Sequence, residues 1–437
     1  MRYIISLIFI IACMANVSAQ KIVSLKECLE IGLQHNYDLQ IVRNKQQIAS
    51  NNATMANAGM LPTLDLSAGY SGAADQTRIT PREGESYTNS AAYNQTMDVG
   101  VSLGWTIFNG LKLQTSYKKL QELKTLGLLQ TRLEVEDFVA NLTAEYYNLI
   151  QQTLRLKNYR YAVALSRERL RITEARYRIG DFSRLDWLQA RVDFNADSSQ
   201  YMTQQELVTA SRIRINELMA NANVTEQCFA RDSVIDVNAK LEWDILKQNM
   251  NESNSELLIA NRNTALSELD LKAMKSRNFP YLNLSAGYGY NRNIYGTGDT
   301  KVRGAMGPNV GVRMGFTIFD GNRRREQNNA RIEIANAKLS REQLEQSLMA
   351  DLATFWQAYT NNLEVIKLEQ QNLIAAKENY EIAMERYLLG DLPGIEMREA
   401  QKSLLDAEER ILTAEYNTKL CEISLMQISG NILEYLK

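Results

Sequence analysis

The sequence has little proline and almost no histidine. Only 5 prolines and 22 glycines in 437 residues leave long stretches with nothing to break a helix. The single histidine, His35, removes His-based acid–base catalysis and His-cluster metal sites as organising themes. There is no basic block and the formal net charge is −2, so the positive stripe that displaces phosphate counterions is missing, which argues against a nucleic-acid partner. No apolar run reaches the roughly 20 residues of a membrane-spanning helix. Cys13, Cys28, Cys228 and Cys421 are too widely spaced for a disulfide framework or a zinc knuckle. What is present is a chain 45% hydrophobic and 23% charged, rich enough to bury a large core.

The N-terminus reads as an export signal over residues 1–19. Arg2 is a small positive region, Tyr3 to Ala12 are apolar apart from Ser6, and Val17-Ser18-Ala19 forms a cleavage site before Gln20. The alternative is a lipobox at Ile11-Ala12-Cys13 that leaves an acylated Cys13.

The rest of the chain is written twice. Leu61-Pro-Thr-Leu-Asp-Leu-Ser-Ala-Gly-Tyr70 recurs as Phe279-Pro-Tyr-Leu-Asn-Leu-Ser-Ala-Gly-Tyr288, an offset of 218. Val99-Gly-Val-Ser-Leu-Gly-Trp-Thr-Ile-Phe-Asn-Gly110 recurs as Val310-Gly-Val-Arg-Met-Gly-Phe-Thr-Ile-Phe-Asp-Gly321, offset 211, and Arg176-Tyr-Arg-Ile-Gly-Asp181 as Arg386-Tyr-Leu-Leu-Gly-Asp391, offset 210. The drop from 218 to 211 lets a loop differ in length, whereas the step from 211 to 210 demands that the following segment be nearly the same in both copies.

That segment is helical. Between Gly321 and Gly390 there is no glycine or proline, and between Gly110 and Gly180 only Gly127 intervenes. Nearly 70 residues give a rod on the order of 100 Å long, which no compact domain requires. Val163, Ser166, Leu170, Thr173 and Tyr177 follow a 3-4 spacing, matched by Leu373, Ala376, Tyr380, Ala383 and Tyr387, and their small and polar members suit a broad helical wall. Each rod stops at a Gly-Asp pair, and a second amphipathic helix returns. The expected organisation is a first repeat over 20–220, with a β-hairpin at about 62–108, a long helix at 110–179 and a return helix at 185–219. A connector over 221–245 leads to a second repeat over 246–437, with a hairpin at about 280–319 and helices at 321–389 and 395–429.

The hairpin segments alternate with period two. Leu64, Leu66, Ala68 and Tyr70 oppose Asp65, Ser67 and Gly69, and Val99, Val101, Leu103, Trp105 and Ile107 oppose Gly100, Ser102, Gly104 and Thr106. In the second copy Arg313 falls on the small polar face. Strands of about ten residues, apolar outward and polar inward, fit a barrel in an outer membrane, with 71–98 and 289–309 expected as extracellular loops. Four strands cannot close, because open edges in hydrocarbon cost several kcal/mol per unpaired group, so copies must share one barrel. Two copies would fill their interior with side chains; three leave a pore. The plainer alternative is a soluble α+β scaffold with coiled-coil struts.

On these motifs, with the opening Ser24-Leu-Lys-Glu-Cys-Leu-Glu-Ile-Gly-Leu-Gln-His-Asn36, the paired Pro-x-Leu-x-Leu strands at Pro62 and Pro280, the Thr-Ile-Phe-(Asn/Asp)-Gly turns and the Tyr-x-x-Gly tips, the chain resembles the TolC family of outer-membrane efflux and secretion ducts over essentially its whole length. The resemblance implies a mixed, mainly α membrane protein. It would be a homotrimer whose twelve-stranded barrel, four strands per chain, sits in outer-membrane lipid of a Gram-negative bacterium and continues as a helical periplasmic tunnel. A collar is expected at 220–245 and after 430. It further implies a passive exit duct of a tripartite efflux pump or type I secretion system. The partners would be a periplasmic adaptor (membrane fusion protein) and an inner-membrane transporter of RND or ABC type, with no cofactor and no enzymatic activity.

Site residues follow from the same resemblance. Gly180, Asp181, Phe182, Gly390, Asp391 and Leu392 match the tips that face the adaptor, although they also serve as helix caps. The family's best-known member carries acidic residues nine and twelve positions after the tip tyrosine, which corresponds to Tyr387; Glu396 and Glu399 stand there, one helical turn apart. Six such carboxylates in a trimer would narrow and charge the tunnel mouth, with Asp186 beside them, and favour cations. Asp65 and Arg313 would face the lumen. The same member has a closing-lock arginine where this chain has Leu392, so Arg184 with Asp186, or Arg398, are the candidates to replace it. A surface-anchored structural or adhesive coiled-coil protein without channel activity is the competing function.

Overall fold

The computed structural model describes residues 21–296 and 300–436. The signal segment and Cys13 lie outside the described residues. Eight helices and six strands account for most of the described chain. Strand β1 is Lys21–Val23, followed by helices α1 (Leu25–His35) and α2 (Tyr37–Asn52), strands β2 (Thr63–Ile79) and β3 (Tyr87–Asn109), and helices α3 (Lys112–Arg178) and α4 (Arg184–Leu218). Strand β4 (Cys228–Ala230) leads to α5 (Trp243–Ser253), α6 (Ser255–Lys275), β5 (Tyr281–Ile294), β6 (Val302–Gly315), α7 (Arg323–Leu389) and α8 (Gly394–Ile428). The long helices α3 and α7 each hold 67 residues, and the return helices α4 and α8 each hold 35. Among the described residues no helix is long and apolar enough to cross a membrane.

The described residues divide into two compact units, the first formed by 21–44, 129–258 and 343–436 and the second by 45–128, 259–296 and 300–342. The first unit is helical and has a core for each repeat. Leu29, Leu142, Tyr146, Leu149, Ile215 and Met219 centre one; Leu246, Met250, Leu352, Tyr359 and Leu425 centre the other. Asn36 and Asn254, related by the 218-residue offset, stitch equivalent joints. The Asn36 amide donates to the Leu218 carbonyl at 3.1 Å while its oxygen accepts from the Leu39 N–H, and Asn254 does the same with Ile428 at 2.9 Å and Leu257. Both are buried, and each side chain satisfies one otherwise unpaired N–H at the start of the helix that follows it.

The connector is fastened rather than loose. β1 pairs in parallel with β4, Tyr146 donates to the Asp232 carboxylate at 2.7 Å, and the Glu422 carboxylate accepts from the Asn238 N–H at 2.9 Å. Glu422 is itself buried against Lys419 at 2.8 Å and accepts from the Tyr435 hydroxyl at 2.6 Å. The Lys419 ammonium sits between the Tyr147 and Tyr435 rings, 4.8 and 5.1 Å from their centroids. A fully partnered carboxylate of this kind ties the C-terminal turn and the connector to α8. Burial and the Glu422 charge push the Tyr435 phenol far above its ordinary range.

The second unit holds an antiparallel sheet in the order β2-β3-β5-β6. Two expectations need correction here. Residues 71–98 and 289–309 are mostly strand: β2 continues to Ile79, β3 begins at Tyr87, β5 ends at Ile294 and β6 begins at Val302. Ladder hydrogen bonds use only backbone groups, so small polar residues that suggest loops can continue a strand once a partner lies alongside. The second hairpin also ends before residue 319. The Thr106–Asn109 segment of β3 is paired to β5 around a bulge, but its counterpart Thr317–Asp320 follows edge strand β6, beside whose outer edge no strand lies among the described residues. Instead Arg323 donates to the Thr317 carbonyl at 2.8 Å and Arg277 pairs with Asp320 at 2.5 Å.

The sheet has one apolar and one small polar face. Leu66 and Val310 are 77% and 75% exposed, with Leu64, Val99, Val101, Tyr288, Val312 and Met314 on the same uncovered side. On the other face a Cβ added at Gly69 would meet the Asp98 carboxylate at 2.6 Å, and one at Gly287 the Asn309 amide oxygen at 2.7 Å.

Candidate functional site

The two turns that join the long and return helices carry most of the residues singled out above. Gly180 and Gly390 adopt φ of 87° and 91°, where a Cβ would clash with the following carbonyl, so the left-handed cap explains glycine at both. The next N–H groups close the turns: Asp181 donates to the Arg176 carbonyl at 3.0 Å and Asp391 to the Arg386 carbonyl at 2.9 Å. Arg176 bridges the two tips. Its guanidinium donates to the Leu388 carbonyl at 3.2 Å, stands 5.1 Å from the Phe182 ring centroid and lies 4.0 Å from the Asp181 carboxylate.

The first return helix starts with a capping box. The Ser183 hydroxyl accepts from the Asp186 N–H at 3.2 Å, and the Asp186 carboxylate accepts from the Ser183 N–H and hydroxyl at 3.1 and 2.7 Å. Asp186 is therefore engaged in holding its own helix. In the second copy the cap residue is Pro393, which makes no side-chain cap bond, and Glu396 at the position equivalent to Asp186 is exposed. Glu399 is exposed on the same face, while Met397 and Ala400 between and beside them are buried. Two carboxylates one turn apart thus project from a helix whose other side is packed.

Behind the tips lies an ionic and hydrogen-bonded network that periodicity did not reveal. Arg398 makes a two-pronged bond to the Asp197 carboxylate at 2.8 and 2.7 Å, joining α8 to α4. Arg169 pairs with Asp193, joining α3 to α4, and the Thr173 and Tyr387 hydroxyls meet at 3.1 Å, joining α3 to α7. Burial works against the Arg398 charge, but its bonds to Asp197 and the Asp193 charge outweigh this and raise its pKa. Burial lowers that of Arg169; Asp193 offsets part of the effect and Arg398 adds to it. Of the candidates for the closing bond, Arg398 is the one held against another helix, and Arg184 is exposed at the start of α4.

The buried stripe of α3 here is Ala162, Ser166, Arg169 and Thr173, so Arg169 takes the inward place expected for Leu170. The corresponding stripe of α7 is Ala376, Tyr380, Ala383 and Tyr387. The missed residues had one sequence signal, the i, i+4 pair Asp193 and Asp197 on one helical face. In the sheet unit Asp65 lies opposite Ser102 and Arg313 opposite Asn283, both exposed on the strands at the two ends of the sheet order. His35 is exposed in the last turn of α1, its Nδ1 3.0 Å from the Ile31 carbonyl. Among the described residues no group of His, Cys, Asp or Glu could hold a metal ion.

The outer membrane efflux protein family model matches residues 29–221 and 246–431. The outer membrane protein TolC of Vibrio cholerae serotype O1 is 21% identical over 409 residues, which cover 90% of this chain and 87% of that protein. Among solved structures, the CmeC outer membrane channel of Campylobacter jejuni superposes with a TM-score of 0.78 at 18% identity, over 93% of this chain and 85% of that one. The outer-membrane channel OprN gives 0.74 at 18% identity, over 93% and 90%. With the family model spanning both repeats, this chain belongs to the outer membrane efflux protein family.

Proposed function

We propose that the protein is the exit duct of a tripartite efflux pump or type I secretion system in a Gram-negative outer membrane, conducting passively what an inner-membrane transporter and a periplasmic adaptor deliver. One observation carries the reading: a four-stranded sheet with an uncovered apolar face ends in β2 and β6, each of which is paired on one side only among the described residues. Such edges are stable in hydrocarbon only when other copies close the ring. Three copies give twelve strands around a pore and two give a filled interior, so a homotrimer is the assembly that conducts. In it the paired helical hairpins form the tunnel, the tips at Gly180–Phe182 and Gly390–Leu392 meet the adaptor, and Glu396 and Glu399 form acidic rings at the mouth. The Arg398 and Asp197 pair takes over the closing role that Leu392 leaves vacant.

The test is assembly. Protein extracted from membranes should migrate as a trimer in detergent at room temperature and as a monomer after boiling. A monomer under both conditions, with the chain still helical, would favour the structural or adhesive coiled-coil alternative.

A further inference from the structure

The register of the open sheet says how two copies meet, an inference that rests on the trimeric barrel proposed above. Thr63 is paired with Gly104, Gly104 with Ser285 and Ser285 with Gly311, so these residues form one row across the sheet. β2 begins at Thr63, yet β6 runs on from Gly311 to Gly315, four residues beyond that row. The far ends are staggered in the same sense: β2 and β3 pair as far as Ile79 and Tyr87, whereas Ile294, the last residue of β5, lies opposite Gln95, which pairs with Gly72. With the Thr63 and Gly315 ends set at one membrane level, as strand ends of a barrel are, the sheet is sheared by four residues over three strand steps. The fourth step, to the next copy, brings the offset to about five residues.

Residues directly opposite one another must share a face, so the offset is even, four or six. Taking about 3.4 Å per residue and about 4.8 Å between strands, these offsets correspond to tilts of about 35° and about 47°, which bracket the usual range of barrel strands. An offset of four places Gly315 opposite Thr63 of the adjacent copy, and therefore Arg313 opposite Asp65. An offset of six places Arg313 opposite Ser67, with Asp65 on the adjoining diagonal, within reach of an arginine.

Charge supports the match. On the small polar face, Asp65 is the sole charged residue of β2 from Thr63 to Ala73, and Arg313 is the sole one of β6 from Ala305 to Gly315. Both side chains are exposed, and the strand position beside Asp65 within the chain is Ser102 and that beside Arg313 is Asn283, neither of them charged. We infer that Arg313 and Asp65 of the adjacent copy form an ion pair on the inner face of the barrel at each of its three seams, fixing the register in which copies join. A slip of one residue would turn every apolar side chain at the seam inward; an offset below two or above six would separate the charges.

Cysteine pairs introduced into the chain with Cys13→Ala test this, since Cys28, Cys228 and Cys421 are buried and do not compete. Asp65→Cys with Arg313→Cys, or Ser67→Cys with Arg313→Cys, should yield covalent dimers and trimers on non-reducing denaturing gels, whereas Leu66→Cys with Arg313→Cys should not. Asp65→Arg or Arg313→Asp alone should lower the temperature at which the trimer dissociates, and the two together should restore most of it. Trimers that cross-link through neither of the first two pairs, or a double reversal no better than the single ones, would overturn the seam while leaving the trimer intact. A protein monomeric by native mass would instead overturn the trimer, and the seam with it.

Discussion

The two helical hairpins are copies in backbone and differ in how their tips are secured. In the first, Ser183 and Asp186 close a capping box, Tyr177 stacks on Trp187 at 5.5 Å, and Arg176 covers Phe182. In the second, Pro393 caps without a side-chain bond and Glu396 is free. The second hairpin is held by its neighbour instead, through Arg398 to Asp197 of α4. At the 210-residue offset Arg398 stands where the first copy has Leu188, and Asp197 where the second has Ala407. The first tip is thus secured by its own cap, whereas the second relies more on contacts with its neighbour, Arg398 to Asp197, Arg176 to the Leu388 carbonyl and Thr173 to Tyr387.

Arg398→Leu should have the largest effect. Removing the guanidinium leaves Asp197 buried without its partner, a loss of about 3 kcal/mol. Urea unfolding should show it, and Asp197→Asn added to Arg398→Leu should cost much less than the sum of the single variants. Ser183→Ala should weaken only the first hairpin, by about 1 kcal/mol. Conversely, Pro393→Ser offers the second tip the cap it lacks. With Glu396 three residues on, a complete capping box should form and stabilise by up to about 1 kcal/mol. It should also withdraw Glu396 from the mouth, so cation preference should fall together with the gain in Tm.

The smallest effect sharpens the comparison along the return helices. Glu415 of α8 occupies the place of Gln205 in α4, and burial raises its pKa. A carboxyl whose folded pKa exceeds its unfolded value contributes stability below the unfolded pKa and loses it as pH rises through the folded one. Glu415→Gln should therefore have a higher Tm than the natural protein at pH 8 and an equal one at pH 4.

Much of this architecture could be read from residue positions because its constraints are local. A left-handed cap demands glycine, which marks Gly180 and Gly390, and a rod forbids breakers, which shows in the gap between Gly321 and Gly390. Alternation separates the two faces of the sheet in the same way. What could not be read depends on partners far along the chain. Arg169 is buried because Asp193 lies on the facing helix, so a period that prefers apolar residues selects Leu170 instead. The long strands were hidden because glycine, serine and asparagine carry no strand preference of their own, and only the pairing of Tyr70 with Met97 and its neighbours makes a ladder of them. The division of labour between Asp186 and Glu396 does carry a sequence signal, an acid three residues after a serine against an acid three residues after a proline, which the family motif alone does not use.

In the function proposed above the protein works by enclosing a path, closed at the end where Glu396 and Glu399 project. Purified trimer in a planar lipid bilayer measures this directly. Small, cation-preferring single-channel steps are expected, and larger or less cation-selective steps for Glu396→Gln with Glu399→Gln. Trimer that inserts and never conducts, or a double variant with unchanged conductance and selectivity, would contradict it.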